Sequence, residues 1–126
     1  GDRAPPLIEL LEASGVKLVI DHMGRPNAKT GVNSEGFKAI LRAVERGRTW
    51  VKLSAGYRMG PAGLEYGREL VRMAGPERLV WASDCPFVGH EKVRFQETLD
   101  WFMACVPNPA VRRIIGSDTP MRLYFS

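Results

Sequence analysis

The 126-residue chain has no long hydrophobic run, few cysteines and no block of like charge, and each absence removes a class of protein. No apolar stretch approaches the ~20 residues a membrane-crossing helix needs. The opening Gly1-Asp2-Arg3 lacks the apolar core of a signal peptide, so a cytoplasmic location without membrane contact is expected. The two cysteines, Cys85 and Cys105, are not spaced as a C-x-x-C pair and read as free thiols. Lysine and arginine number 18 against 14 acidic residues. They are scattered singly or in pairs such as Arg112-Arg113 rather than clustered with aromatics, which argues against a nucleic-acid partner. The excess of arginine fits a small anionic substrate better, because the planar guanidinium binds carboxylates bidentately.

A composition of 44% hydrophobic and 25% charged residues describes one globular unit with a packed core, or part of one. Short β-rich runs alternate with longer helical ones, the pattern of βα units. Three strands stand out: Lys17 to His22, Trp50 to Ser54 and Leu79 to Asp84, each apolar until a polar residue closes it, as buried parallel strands are. About thirty residues separate one strand end from the next, enough for a crossover helix and a strand.

The helices carry their own signals. Pro5-Pro6 opens a segment with Leu7, Leu10 and Leu11 that stops at Gly15; Asn33-Ser34 precedes Phe37, Ile40, Leu41 and Val44, stopping at Gly47. A third segment, Gly63 to Ala74, carries Tyr66, Leu70, Val71 and Met73, and a fourth spaces Phe95, Leu99, Phe102 and Met103 as one apolar face. Asn108-Pro109 and Thr119-Pro120 read as N-cap and N1 pairs of two short closing helices.

Three parallel strands cannot close a barrel, and an open set leaves two unpaired edges. A whole (β/α)₈ barrel needs ~250 residues. The fold expected is therefore α/β, with residues 1–126 forming the C-terminal part, about three βα units, of a (β/α)₈ TIM barrel. The remainder is expected from upstream sequence or from another chain, a homo-oligomer being one way to supply it.

In such a barrel the chemistry sits at the carboxyl ends of the strands, which singles out Asp21-His22, Lys52 with Ser54, and Ser83-Asp84. Counting back by twos, His22 shares a face with Ile20 and Leu18, Lys52 with Trp50 and Ser54, and Asp84 with Ala82 and Val80. Val19, Val51, Leu53, Leu79 and Trp81 then fall on the other face, against the outer helices. A lysine, a histidine and an aspartate converging inside a barrel mouth are expensive unless paired or ligand-binding, so they read as a site. The bland alternative is an internal Lys52–Asp84 ion pair. Each of the first two strands is followed by a loop with glycine and arginine: His22-Met23-Gly24-Arg25-Pro26 and Ser54-Ala55-Gly56-Tyr57-Arg58. The glycines permit tight turns and the arginines can reach over the mouth as carboxylate clamps.

Four runs in order, Val19 to Pro26 (VIDHMGRP), Trp50 to Arg58 (WVKLSAGYR), Glu77 to Phe87 (ERLVWASDCPF) and Ser117 to Phe125 (SDTPMRLYF), span nearly the whole chain. They resemble successive motifs of the amidohydrolase superfamily, in the branch that holds 2-pyrone-4,6-dicarboxylate hydrolase and sugar lactonases. The resemblance implies a hydrolase that opens a carboxylate-bearing lactone. It implies that Asp84 is the general base acting on water and that His22 hydrogen-bonds the carbonyl and its developing oxyanion. Arg25 and Arg58 would hold substrate carboxylates, with Lys52, Tyr57 and Ser54 as supporting groups.

The superfamily often binds a divalent metal through an H-x-H pair absent from this chain, and His22 with Asp84 falls short of the three protein ligands of a catalytic zinc site. The cofactor stays open: none, or one divalent ion such as zinc. Two departures from the pattern stand out, Cys85 directly after the aspartate and His90 displaced along the following loop. Each of these has a functional and a bland reading: His90 as a shifted functional histidine or a solvated one, and Cys85 as a nucleophile with His90 or a bystander. Cys105 beside Phe102 reads as packing. The other readings are a zinc-dependent amidohydrolase or decarboxylase on the same fold, and a non-catalytic half-barrel assembly protein.

Overall fold

The structure, a computed structural model, describes residues 4–25 and 29–125. Gly1 to Arg3 and Pro26, which closes the first strand-end loop, lie outside the described residues. The order is α1 (Ala4–Ala13), β1 (Leu18–Ile20), α2 (Glu35–Glu45), β2 (Thr49–Leu53), α3 (Ala62–Ala74), β3 (Leu79–Trp81), α4 (Phe95–Cys105), α5 (Pro109–Arg113) and α6 (Thr119–Phe125). The strands form one parallel sheet in the order β1-β2-β3, with Leu18 opposite Thr49, Ile20 opposite Val51, Val51 opposite Leu79 and Leu53 opposite Trp81. These are the three expected βα units. Among the described residues no helix is long and apolar enough to cross a membrane.

The register fixes the two faces of the sheet, because residues opposite each other point the same way. One face carries Leu18, Ile20, Val51, Leu53, Leu79 and Trp81, which pack with Phe37, Ile40 and Val44 of α2, Tyr66 and Leu70 of α3, and Phe102 of α4. The other carries Val19, Trp50, Lys52 and Val80. This corrects the expectation for the first strand. Leu18 and Ile20 belong to the helix-packed face and Val19 to the face of Lys52. The first and third strands are also shorter than expected, three residues each, while the second keeps its length and begins one residue earlier. The alternation therefore fails to carry from Ile20 to His22, since extended backbone stops at Ile20.

The helices form where their ends are satisfied and one stripe is buried. Ser34 caps α2, its hydroxyl accepting from the Phe37 amide at 3.0 Å, and the helix buries Phe37, Ala39, Ile40, Ala43 and Val44. Asn108 caps α5 in the same way through the Ala110 amide at 2.9 Å, with Pro109 at the first helical position. Two expected apolar faces are rotated. α4 buries Thr98, Phe102 and Cys105 and leaves Phe95 and Met103 about half exposed, while α3 buries Gly63, Tyr66, Gly67 and Leu70 and exposes Met73.

Thr119 is not an N-cap. Its backbone is helical, and α5 runs into α6 through a wide π turn at Ile114–Asp118. Pro120 has no N–H for the carbonyl one α-turn before it, which accounts for the widening. The Thr119 hydroxyl instead donates to the Pro76 carbonyl at 2.8 Å, tying the closing helices to the turn that enters β3.

Candidate active site

Each strand ends in a strained turn, and these turns build the site. Five non-glycine residues among those described have positive φ: His22 (51°), Met23 (54°) and Arg25 (48°) after β1, Ala55 (58°) after β2, and Asp84 (68°) after β3. Such backbone persists only where surrounding contacts over-determine it, and it clusters at functional sites. The contacts are present here. Met23 is buried to 1% exposure and its carbonyl accepts from the Tyr66 hydroxyl at 3.2 Å. Gly24 takes φ 76°, and a Cβ there would meet Ile40 Cδ1 at 2.4 Å, so a larger residue would be strained and would have to displace the Ile40 side chain. After β2, Gly56 lies against the Trp101 ring, where a Cβ would come within 2.1 Å. The Ala82 amide donates to the Leu53 carbonyl at 3.4 Å, extending the sheet pairing toward Asp84, and the chain leaves Asp84 through a cis Cys85–Pro86 bond.

These turns bring His22, Ser54, Tyr57, Arg58 and Asp84 together. Asp84 Oδ2 accepts from the Tyr57 hydroxyl at 2.5 Å and from Arg58 Nε at 3.0 Å, while Oδ1 faces His22 Nε2 at 3.4 Å. On the far side of the imidazole, Nδ1 lies 2.9 Å from Ser54 Oγ, and Ser54 is 1% exposed. Arg58 also donates from Nη2 to the Val88 carbonyl at 3.2 Å. A cavity of about 250 Å³ opens between His22, Arg25, Ala55, Arg58 and Met59, so both loop arginines border the histidine.

The electrostatics follow from this packing. Burial works to raise the Asp84 pKa, but the hydrogen bonds from Tyr57 and Arg58, with the nearby His22 and Arg58 charges, outweigh it and hold the carboxyl below its ordinary value of 3.8. Burial and the bond to Asp84 push the Tyr57 phenol up, so it stays a donor. Burial lifts the Cys105 thiol to about 12, which suits packing and not chemistry.

Lys52 lies apart from this group. Its ammonium pairs with Asp21 at 2.7 Å, and that bond, opposed by burial, raises the Lys52 pKa. The internal Lys52–Asp84 pair weighed from sequence is not formed. Asp21, singled out with His22 at the end of the first strand but given no role there, shares by alternation the face of Val19, the face that also carries Lys52. The His90 ring packs edge-on to Tyr57 at a centroid distance of 5.2 Å, next to Phe87 at 5.6 Å from the same ring. Cys85 is exposed, and the described residues show no hydrogen bond between it and His90. No group of three His, Cys, Asp or Glu among the described residues could hold a metal ion. His22 and Asp84 by themselves make two donors of the three such a site needs.

Parallel βα units whose polar residues gather at the carboxyl ends of the strands define the functional end of a (β/α)-barrel fold. The family model described as amidohydrolase matches residues 5–125, and the chain belongs to that family. It is 29% identical over 133 residues to 4-sulfomuconolactone hydrolase of Rhizobium radiobacter, covering 98% of this chain and 44% of that protein. It is also 29% identical over 138 residues to 2-pyrone-4,6-dicarboxylate hydrolase of Comamonas testosteroni, covering 96% and 45%. A solved structure from Pseudomonas putida, provisionally assigned as a 2-pyrone-4,6-dicarboxylic acid hydrolase, superposes with a TM-score of 0.84 at 36% identity, over 94% of this chain and 46% of that one. The chain thus spans under half the length of the relatives it matches, and its three βα units are a portion of the amidohydrolase barrel.

Proposed function

We propose that the complete protein is a hydrolase that opens a carboxylate-bearing lactone, and that residues 1–126 are the C-terminal part of its barrel. The observation that carries the reading is the convergence of His22, Tyr57 and Arg58 on the Asp84 carboxylate beside a cavity edged by two arginines. The likeness to two lactone hydrolases supports it.

In this reading Asp84, ionised at neutral pH, takes a proton from water as the water oxygen bonds to the lactone carbonyl carbon. His22 donates from Nε2 to the carbonyl oxygen, which becomes the oxyanion of the tetrahedral intermediate; one such fixed donor contributes about 3 to 4 kcal/mol. The ring C–O bond then breaks, and the leaving oxygen takes the proton held by Asp84, giving a ring-opened acid. Arg25 and Arg58 bind the substrate carboxylates, and Tyr57 orients Asp84. Lys52, held by Asp21, adds positive charge on the inner face of the sheet. No step is assigned to a metal.

The rest of the barrel would come from upstream sequence and cover β1, whose apolar surroundings (Leu7, Ile8, Leu11, Leu18, Val19 and Ile20) line an open groove. We place the protein in the cytoplasm. The test is Asp84→Asn in the complete protein, which keeps the shape of the side chain. Turnover of a dicarboxylated lactone should fall by about 10²- to 10⁴-fold while the substrate still binds. Turnover within a few-fold of the unaltered protein would overturn the role of Asp84.

A further inference from the structure

We propose that Ser54 is a positioning residue that fixes His22 in the tautomer carrying its proton on Nε2. The inference rests on the lactone-opening reading for its consequence, although the tautomer itself can be measured without turnover.

A neutral imidazole has one donor and one acceptor nitrogen, and the partner of one decides the role of the other. Ser54 Oγ lies 2.9 Å from His22 Nδ1, at 1% exposure, and makes no other side-chain hydrogen bond among the described residues. A buried hydroxyl proton needs an acceptor, since leaving it unmade forfeits its hydration with no return. Nδ1 is the acceptor in reach, so the hydroxyl donates to it and the ring proton goes to Nε2.

The other side of the ring reaches the same answer independently. Nε2 is 3.4 Å from Asp84 Oδ1. An N–H there faces a carboxylate, whereas the opposite tautomer would set a lone pair against that oxygen and leave the Ser54 proton without a partner. Ser54 thus keeps an N–H on the Asp84 side of the His22 ring, in a residue that borders the cavity with Arg25 and Arg58.

The order Ser54, His22, Asp84 suggests a nucleophilic serine, but the geometry opposes it. Ser54 is closed off from the cavity, and it addresses the nitrogen on the far side of the ring from Asp84 and from any substrate carbonyl. Its position explains its type. Ser54 directly follows Leu53, the last residue of β2, and precedes the left-handed Ala55, so its side chain is held beside the His22 turn, where a small hydroxyl fits.

The experiment is a nitrogen-correlated NMR spectrum of the complete protein labelled with ¹⁵N-histidine, in alkaline buffer where imidazoles are neutral, with His22→Gln used to assign the His22 signals. We expect Nδ1 to resonate as an unprotonated acceptor nitrogen and Nε2 as a protonated one. Ser54→Ala should give a mixture of tautomers and a kcat lowered by about 10- to 100-fold with KM little changed. Ser54→Thr should restore both. A wild-type His22 protonated on Nδ1, a Ser54→Ala spectrum with the tautomer unchanged, or a covalent acyl intermediate trapped on Ser54 would each overturn the proposal. Should Ser54→Ala fail to fold, the wild-type spectrum and Ser54→Thr still decide it. Absence of lactone turnover by the wild-type protein would count against the proposed function instead, and the spectrum would stand.

Discussion

Replacing Arg58 by methionine separates two roles that the site superimposes on one side chain. In the structure Arg58 is committed to the protein, through Nε to Asp84 Oδ2 at 3.0 Å and Nη2 to the Val88 carbonyl at 3.2 Å, yet it also borders the cavity with His22 and Arg25. If it clamps a substrate carboxylate, methionine keeps most of the apolar stem and removes a charge-assisted pair, a loss that corresponds to about 10- to 100-fold in KM. The same change removes two of the influences that hold Asp84 below 3.8, the Arg58 hydrogen bond and the Arg58 charge.

The sign follows from that depression. A carboxylate with a lowered folded pKa contributes stability and base character above its unfolded value, and both fade as pH falls through the folded pKa. The acid limb of kcat/KM should therefore lie below the ordinary carboxylate range in the unaltered protein and move upward in Arg58→Met. Initial rates on an anionic lactone, measured across the acid limb and into neutral pH, report both effects. A KM within about twofold of the unaltered protein would refute the clamp. An acid limb that stays where it was would refute the holding of Asp84 by Arg58.

The remaining expectations probe neighbouring groups. Tyr57→Phe removes the largest single influence that lowers Asp84, so its acid limb should also move up; an acid limb that stays in place in a pH–rate profile would contradict that role. Arg25→Met should raise KM for an anionic lactone by about 10-fold with kcat nearly unchanged, and an unaltered KM would remove Arg25 from the binding set. Gly56→Ala would drive a Cβ to 2.1 Å from the Trp101 ring. It should lower stability by about 1 to 3 kcal/mol in chemical denaturation of the complete protein, and an unchanged midpoint would mean that Trp101 moves aside freely.

The βα order of this chain was legible because it depends on local pattern. Apolar runs that turn polar, Ser34 and Asn108 at helix starts, and Pro109 at a first helical position are all chemistry within a few residues. Failures came where distant contacts decide. Phe95 and Met103 match a helical stripe but lie exposed, while Thr98, Phe102 and Cys105 are buried. The side of α4 that faces inward is chosen by what it packs against, including Trp81, whose ring stacks on Phe102 at 5.4 Å. Thr119-Pro120 has the look of a helix start, yet Thr119 continues a helix and spends its hydroxyl on Pro76.

At the site, local pattern alone places a histidine, a serine, a tyrosine, an arginine and an aspartate at the ends of three parallel strands and in the loops that follow. Which of their atoms meet depends on long-range packing. Alternation along β1 leads to Asp21, and it is Asp21 that pairs with Lys52. His22 reaches Asp84 because the chain turns into left-handed backbone directly after Ile20. That turn is maintained by Met23 in the core and by the Tyr66 hydroxyl on the Met23 carbonyl, from a residue 43 positions away. Positive φ is locally disfavoured, and here the turn depends on contacts from α2 and α3, Ile40 against Gly24 and the Tyr66 hydroxyl on the Met23 carbonyl, which neighbouring residues in the sequence do not reveal.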